Sequence, residues 1–238
     1  MRYLALLGED ESAAAQPETP EWDAEIAGHM RFSEVAADAI HGGEALQPVA
    51  TAMTVRHGDG GEPLVTTGPY AETTEALGGF YVLEAGTMDD AIDLARQIPT
   101  AWSGWVALRP LVMWQAPDGD SPPSGNRYLA VIYGKESPAD QPDTPAWDEG
   151  SAAHGRFVEG AAGAVLAGGA VHPVDTTTTV QVRDGELLVT DGPLSEAAAV
   201  VGGFYVLGAP TTAAAVEVAT AIPVGAGGAV EVRPVMEI

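Results

Sequence analysis

Two histidines, His29 and His154, are the residues best suited to acid–base chemistry, and they occupy matching places in the two copies of an internal repeat. An imidazole that titrates near neutrality can take a proton from a substrate and return it. Asp191 is the carboxylate that could orient such a ring, because it lies at a sharp turn where a strand is predicted to end. The first copy has Thr67 there, so a His–Asp pair could form in the second copy alone or between copies. The alternative is that each histidine is a partly exposed helix residue.

Three further residues are candidates for binding a ligand. Arg109 and Arg233 end the last predicted strand of each copy, and they are two of only ten lysines and arginines in the chain. A guanidinium can hold a substrate carboxylate through two parallel hydrogen bonds. The simpler alternative is an ion pair with one of the 34 acidic side chains. His172, whose counterpart in the first copy is Gln47, is the third candidate.

The tripeptide Asp191-Gly192-Pro193 also has a purely structural interpretation. Glycine supplies a positive φ, proline ends a strand, and aspartate accepts hydrogen bonds from the following amides. The first copy keeps Gly68-Pro69 and lacks the carboxylate. The turn itself is therefore what both copies require.

Several familiar catalytic and binding motifs are missing from the sequence. It contains no phosphate-binding P-loop, no glycine-rich dinucleotide motif after a strand, no His-Glu-x-x-His and no Gly-x-Ser-x-Gly. There are five histidines without a close pair and no cysteine, so neither a metal site nor thiolate chemistry is expected. We expect no cofactor.

The charge and hydropathy of the chain exclude other classes of function. Lysine and arginine number 10 against 34 acidic residues, a formal net charge of −24. Such a chain is repelled by nucleic acid and by anionic membranes. The acidity serves solubility or attracts a basic partner. Apolar runs are far shorter than the roughly 20 residues that cross a bilayer, and the N-terminal run is too short for a signal peptide, so we expect a cytoplasmic protein.

The chain consists of two tandem copies of one domain. The segment from Gln16 to Asp23 returns at Gln141 to Asp148, and the Gly-Gly-Phe-Tyr-Val-Leu run at 78–83 returns at 202–207. The repeats are assigned to residues 1–114 and 126–238, with a polar Pro/Gly-rich linker at 115–125. The one extra residue of the first copy is placed at the hairpin tip 58–61.

The second repeat shows the order of elements most clearly. An apolar strand is followed by a helix that begins at Thr144-Pro145 and continues to Leu166, where Gly168-Gly169 is predicted to end it. Gly-Gly pairs at 42–43, 78–79 and 202–203 are likewise assigned to helix ends and turns. The remaining predicted elements are strands at 176–182, 187–190 and 203–207, a helix at 211–222 and a strand at 230–234. The order β-α-β-β-β-α-β indicates a ferredoxin-like α+β fold with an extra hairpin strand, whose open sheet face the other copy can cover.

The run from Leu188 to Glu196, followed by Gly202-Gly203-Phe204-Tyr205, resembles the signature of the DGPF branch of the YCII-related family. The first copy carries a similar run from Thr67 to Glu75. Thr67 departs from the aspartate of the signature, and Leu194 departs from its phenylalanine. The resemblance covers both repeats nearly end to end.

The resemblance implies a fold and two kinds of function. The two repeats would pack sheet to sheet as an intramolecular dimeric α-β barrel, either as a monomer or as a homodimer. One function is a non-catalytic module that binds a small ligand in the cleft between repeats, or binds a protein such as an extracytoplasmic-function sigma factor. The other is a cofactor-independent lyase or isomerase with His154 or His29 as general base and an arginine to orient the substrate.

Overall fold

The computed structural model describes residues 1–15, 18–57, 62–71, 75–115, 126–134, 141–161, 163–194, 201–225 and 227–237. The predicted linker, apart from Gln115, and the predicted insertion site at 58–61 lie outside these residues. No helix within the described ranges has both the length and the apolar character needed to span a membrane.

The described residues form twelve strands, five α-helices and two short 3-10 helices at Val49–Thr51 and Val174–Thr176. The first repeat contains β1 (Arg2–Asp10), α1 (Pro20–Val35), β2 (Ile40–Ala45), β3 (Met53–Arg56), β4 (Leu64–Thr67), β5 (Glu75–Glu84), α2 (Met88–Ala95), α3 (Thr100–Ser103) and β6 (Trp105–Gln115). The second contains β7 (Asn126–Tyr133), α4 (Pro145–Gly160), β8 (Val165–Val171), β9 (Thr178–Arg183), β10 (Glu186–Asp191), β11 (Val201–Ala209), α5 (Thr212–Ala219) and β12 (Ala229–Pro234). Both repeats therefore share one order of elements, apart from the short α3.

The long helices begin where the sequence predicts. Thr19 and Thr144 are N-caps, and each hydroxyl accepts a hydrogen bond from the backbone N–H of the tryptophan three residues later. A proline occupies the first helical position in both. The predicted end of the second helix is wrong, because α4 stops at Gly160 and residues 165–171 form β8.

The Gly-Gly pairs lie in strands rather than at helix ends, which corrects the prediction. Gly168 in β8 pairs with Tyr205 in β11, and a Cβ on Gly168 would lie 2.5 Å from the tyrosine ring. Gly43 in β2 faces Tyr81 in β5 with the same clearance. Glycine is required at both places because the neighbouring ring lies flat across the strand.

The structure divides into two compact units that exchange hairpins between repeats. Unit 1 comprises Met1–Ala45, Thr73–Leu111 and Val174–Ala199, and unit 2 comprises Leu46–Glu72, Val112–Pro173 and Val200–Ile238. In unit 1 the described antiparallel strands follow the order β2-β5-β1-β6-β9-β10. In unit 2 they follow the order β8-β11-β7-β12-β3-β4.

Each unit is thus a ferredoxin-like core with a borrowed hairpin. The strands missed by the sequence analysis, β2 and β8, complete the β-α-β-β-α-β core, and the hairpin adds to the edge of its last strand. The α+β class and the two ferredoxin-like repeats are confirmed. The barrel stays a prediction, and so do the domain boundaries, which follow the repeats whereas the compact units do not.

The borrowed hairpins belong to the hydrophobic cores that receive them. Val180 and Val182 of β9 lie in the core of unit 1, and Val55 of β3 lies in the core of unit 2. Val180 and Val55 are fully buried. Burying one such side chain contributes about 1.5–3 kcal/mol, so hydrophobic packing holds each hairpin in place.

Candidate functional site

A His–Tyr pair is built identically in both units. His29 Nδ1 on α1 lies 3.0 Å from the Tyr81 hydroxyl on β5, and His154 Nδ1 on α4 lies 2.9 Å from the Tyr205 hydroxyl on β11. Each tyrosine ring packs against a helix phenylalanine at a centroid distance of 5.2 Å. The adjacent strand glycine leaves room for the ring to extend across β2 or β8 toward the helix. The pair therefore joins helix to sheet.

Burial sets the protonation of these groups. It lowers the pKa of His29 to about 4 and lowers the pKa of His154. It raises the pKa of Tyr205 to about 12 and also raises that of Tyr81. At pH 7 both imidazoles are neutral and both phenols keep their proton. A ring that holds a proton this weakly is a poor general base at neutral pH.

Asp191 and His154, the histidine predicted to pair with it, belong to different units. Asp191 is exposed at the end of β10 in unit 1, whereas His154 belongs to unit 2. In unit 1 the ring nitrogens of His29 lie near the hydroxyls of Tyr81 and Thr100, the latter at 3.4 Å. The His–Asp pair stays a prediction.

The turn after Asp191 contains the positive-φ glycine that the structural interpretation of Asp191-Gly192-Pro193 requires. Gly192 has φ +90° and Gly68 has φ +105°. The carbonyl of each glycine accepts a hydrogen bond from a threonine on the first strand of its hairpin, Thr179 at 2.6 Å and Thr54 at 2.8 Å. Both repeats build this turn, with or without the carboxylate.

The two predicted ligand arginines are buried. Arg233 is 4% exposed and makes an ion pair with Glu231 on the same strand, with Nε and Nη2 at 3.2 and 2.5 Å from Oε1. Arg109 on β6 is 2% exposed, and Ala107 stands in its repeat where Glu231 stands in the other. His172 is half-buried just after β8. Arg233 thus forms an ion pair with an acidic side chain, as in the simpler of the two interpretations.

Two stacked tyrosines lie next to this ion pair in unit 2. Glu231 Oε2 accepts the backbone N–H of Tyr70 at 2.9 Å, and the Tyr70 ring stacks on Tyr133 at 4.4 Å with 4° between the planes. Arg56 donates to the Tyr70 carbonyl at 2.7 Å and lies 4.9 Å from the centre of its ring. Burial, followed by the charge of Glu231, raises the pKa of Tyr133 well above its usual value. Glu231 was not among the predicted site residues, although Glu and Arg two residues apart on a strand share one face.

Unit 1 fills the corresponding space differently. Gly8 stands where unit 2 has Tyr133, and Trp105 stands where unit 2 has Ala229. The indole of Trp105 covers Gly8 so closely that a Cβ there would lie 2.0 Å from it. The bulky side chain is therefore on the last core strand, β6, in unit 1 and on the first core strand, β7, in unit 2.

A cleft of about 630 Å³ opens in unit 1. Its walls come from α1, from the segment around α3, and from the hairpin contributed by the second repeat. The lining residues are Gly28, Arg31, Phe32, Val35, Arg96, Gln97, Pro99, Trp102, Val182, Gly185 and Leu187. Trp102 is 57% exposed, and its indole N–H donates to the Arg96 carbonyl at 3.1 Å. None of the six predicted site residues lines this cleft.

The second repeat has lost most of the polar and aromatic lining at matching positions. It keeps the counterparts of Arg31 and Phe32, but it has Thr220 for Arg96 and Ala226 for Trp102. This difference between repeats was visible in the sequence, and it is the signal that could have found the cleft. Apolar walls with a few polar groups are typical of small-molecule sites.

Comparison with known proteins places the two repeats in one family. The YCII-related domain model matches twice, at residues 1–115 and 127–238. An uncharacterized protein of Rhizobium meliloti (strain 1021) is 40% identical over 72 residues, which are 29% of this chain and 57% of that protein. The chain thus matches little more than half the length of that relative. The DGPF branch within the family stays a prediction. The double match, together with the paired ferredoxin-like cores, shows that this chain belongs to the YCII-related domain family.

Proposed function

We propose that this chain is a non-catalytic binding module that holds a small organic anion with an apolar body in the cleft of unit 1. The observation that carries the proposal is the presence of Arg31 and Arg96 on a largely apolar cleft. They are two of ten cationic side chains in a chain of net charge −24. An anion that is repelled elsewhere on the surface finds two guanidiniums at this cleft.

Both arginines are accessible to a ligand. Arg31 is exposed, and the described ion pair of Arg96 is a surface contact with Asp93 at 3.5 Å. Pairs of this kind contribute little, about 0–1 kcal/mol. A ligand carboxylate can therefore replace Asp93, and the exposed indole of Trp102 offers ring surface to the apolar body of the ligand.

The enzymatic alternative has weaker support. It needs a histidine that gains a proton near pH 7, whereas burial holds the pKa of His29 at about 4. The Nδ1 atoms of His29 and His154 lie at hydrogen-bond distance from tyrosine hydroxyls, and neither histidine lines the cleft. Duplication of the His–Tyr contact in both units favours a role in packing. The sigma-factor partner stays a prediction of the DGPF resemblance.

Calorimetric titration with benzoate, phenylacetate and indole-3-acetate tests the proposal, with the matching neutral amides as controls. We expect the acids to bind and the amides to bind at least about tenfold more weakly, since a hydrogen bond to a charged group contributes about 1.5–3 kcal/mol. Arg96→Gln should weaken the acids by a similar factor.

Arg156→Gln is the control for the loss of one exposed arginine, because Arg156 is the counterpart of Arg31 in the other repeat and does not line the cleft. This variant should bind as the parent does. The proposal would be wrong if acid and amide bound equally, or if Arg96→Gln bound the acids as tightly as the parent does. Turnover of any bound acid, followed by proton NMR, would favour the enzymatic alternative instead.

A further inference from the structure

The strand β10 is an exposed edge with an apolar centre. All six residues Glu186–Asp191 are exposed, and three consecutive apolar residues, Leu187, Leu188 and Val189, are 38%, 44% and 47% exposed. One edge of β10 pairs with β9 along its whole length. Among the described strands, none pairs with its other edge.

The hydrogen-bonding pattern shows which backbone groups face outward. Arg183 and Glu186 flank the two-residue turn Asp184-Gly185, whose φ values are +54° and +81°. Such flanking residues form a hydrogen-bonded pair, and every second residue then repeats the pattern. The bond from Gly192 N–H to the Thr177 carbonyl at 2.8 Å has the same parity.

Leu187, Val189 and Asp191 therefore direct their backbone N–H and C=O groups away from β9. These groups form an open ladder, which is the template that strand addition uses. Leu187 belongs to both features: its backbone groups are part of the ladder, and its side chain lines the cleft.

The edge lacks the usual protection. Natural edge strands are kept apart by lysines, prolines, bulges or shortness. The run Glu-Leu-Leu-Val-Thr-Asp contains no lysine or proline, and its register with β9 is regular. Its counterpart β4 is shorter, at four residues, and follows Pro63. The edge strand of the second repeat is thus the longer of the two.

Charge indicates what fits this edge. Glu186 and Asp191 stand at the two ends of β10, and Asp184 lies in the adjacent turn. A second copy of the chain would bring the same acidic ends and a further net charge of −24. A segment with basic residues beside a short apolar stretch would complement both the ends and the centre.

We propose that β10 binds an extended, basic segment of another protein as an added strand. Backbone hydrogen bonds to Leu187 and Val189 hold the segment, and Glu186 and Asp191 select its charge. This interaction does not depend on the small-anion function assigned to the cleft.

The probe is a fluorescent peptide of alternating valine and threonine with lysines at both ends, followed by anisotropy with the full chain at low salt. Two control peptides carry either glutamates in place of the lysines or prolines in place of alternate residues. We expect the lysine peptide to bind and each control to bind at least tenfold more weakly. Raising the salt should weaken the lysine peptide, because the selecting charges are exposed.

Val189→Pro removes one outward N–H without removing a bond to β9, and it should weaken the peptide at least tenfold. Val65→Pro is the matched control, because Val65 has the same outward parity on β4 and should leave binding unchanged. Benzoate titration of the same variants distinguishes this proposal from the proposed anion binding in the cleft, since neither substitution should change the affinity for benzoate. Circular dichroism confirms folding.

A second variant keeps the test decisive if Val189→Pro unfolds the chain. Glu186→Lys combined with Asp191→Lys should reverse the preference, so that the glutamate peptide binds more tightly than the lysine peptide. Equal binding of the proline-containing peptide, or an unchanged preference in the double variant, would overturn the proposal. A parent chain that sediments as a dimer and becomes a monomer on Val189→Pro would show that a second copy occupies the edge, which also overturns it.

Discussion

Unit 1 and unit 2 have the same core fold and the same His–Tyr contact, but different residues lie where each core meets its borrowed hairpin. Unit 2 buries an ion pair there, Glu231 with Arg233, under the stacked rings of Tyr70 and Tyr133. Unit 1 has Ala107 and Leu194 at the places of Glu231 and Tyr70, and Gln181 at the place of Arg56. Both repeats have therefore kept the same fold since the duplication. They differ in the residues that contact the hairpin from the other repeat.

The difference extends to the surface. In unit 1 the accessible arginine and tryptophan line a cleft, and in the second repeat threonine and alanine replace them. The two units therefore differ in two places. Unit 2 contains the buried ion pair, and unit 1 contains the cleft.

Removing the carboxylate of unit 2 should have the largest effect on stability. Glu231→Ala leaves Arg233 buried without this partner, and breaking a buried pair in this way typically costs about 3–5 kcal/mol. Urea unfolding followed by circular dichroism measures the change. Glu84→Gln, which removes the exposed partner of Arg2, should cost less than about 1 kcal/mol. Similar losses for the two variants would contradict the contrast between the units.

Adding a methyl group beneath the two tyrosines should affect both units alike. Gly43→Ala and Gly168→Ala each place a Cβ 2.5 Å from a tyrosine ring, and overpacking of this kind costs about 1–3 kcal/mol. Gly150→Ala is the control, because open space surrounds this residue within α4, and it should stabilise by about 0.5–1 kcal/mol. Thermal unfolding compares the three variants. A loss at only one of the two strand glycines would show that the His–Tyr contacts are not equivalent.

A pH dependence specific to unit 1 should be smaller. Burial, with help from the nearby Glu25 carboxylate, raises the pKa of Glu9 to about 7, whereas an unfolded chain titrates near 4.5. The folded state therefore binds more protons between these values, so this stabilising contribution is present below pH 4.5 and is lost as the pH rises through 7. Glu9→Gln should remove that loss and stabilise the chain by about 1 kcal/mol at pH 8, after allowance for the partial exposure of the side chain.

The second repeat provides the control for this dependence, because it has Gly134 and Gly150 in place of Glu9 and Glu25. His29 and His154 contribute with the opposite sign. Their lowered pKa values make stability fall as the pH drops below about 6.5. Urea unfolding at pH 5, 6.5 and 8 separates the two trends. An unchanged slope between pH 5 and 8 in Glu9→Gln would show that Glu9 titrates normally.

Local features of the fold were predictable, and nonlocal ones were not. The threonine caps, the prolines that follow them and the Asp184-Gly185 turn all depend on neighbouring residues, and the structure confirms them. Gly168-Gly169 was misassigned because a glycine that accommodates a ring from another strand looks, in sequence, like a glycine that ends a helix. Its real reason is Tyr205, which lies 37 positions further along the chain.

The candidate site was harder to predict for the same reason. His29 and His154 were singled out by their chemistry, but only the packing of α1 and α4 shows that a tyrosine hydroxyl faces each ring. The cleft combines three separate segments, including a hairpin from the other repeat. The sequence does not show that these segments come together, because each repeat could equally have packed its own hairpin against its own core.

The exchanged hairpins also impose an order on biosynthesis. The edge of β6 that β9 covers is complete at Leu108, whereas the hairpin ends at Asp191, roughly 80 residues later. At about 5–20 residues per second, the ribosome leaves that edge open for roughly 4–16 s. Unit 2 has no such wait, because β3 and β4 are made before β12, which they join. The nascent first repeat is therefore the stage at which this chain needs protection from misassembly during translation.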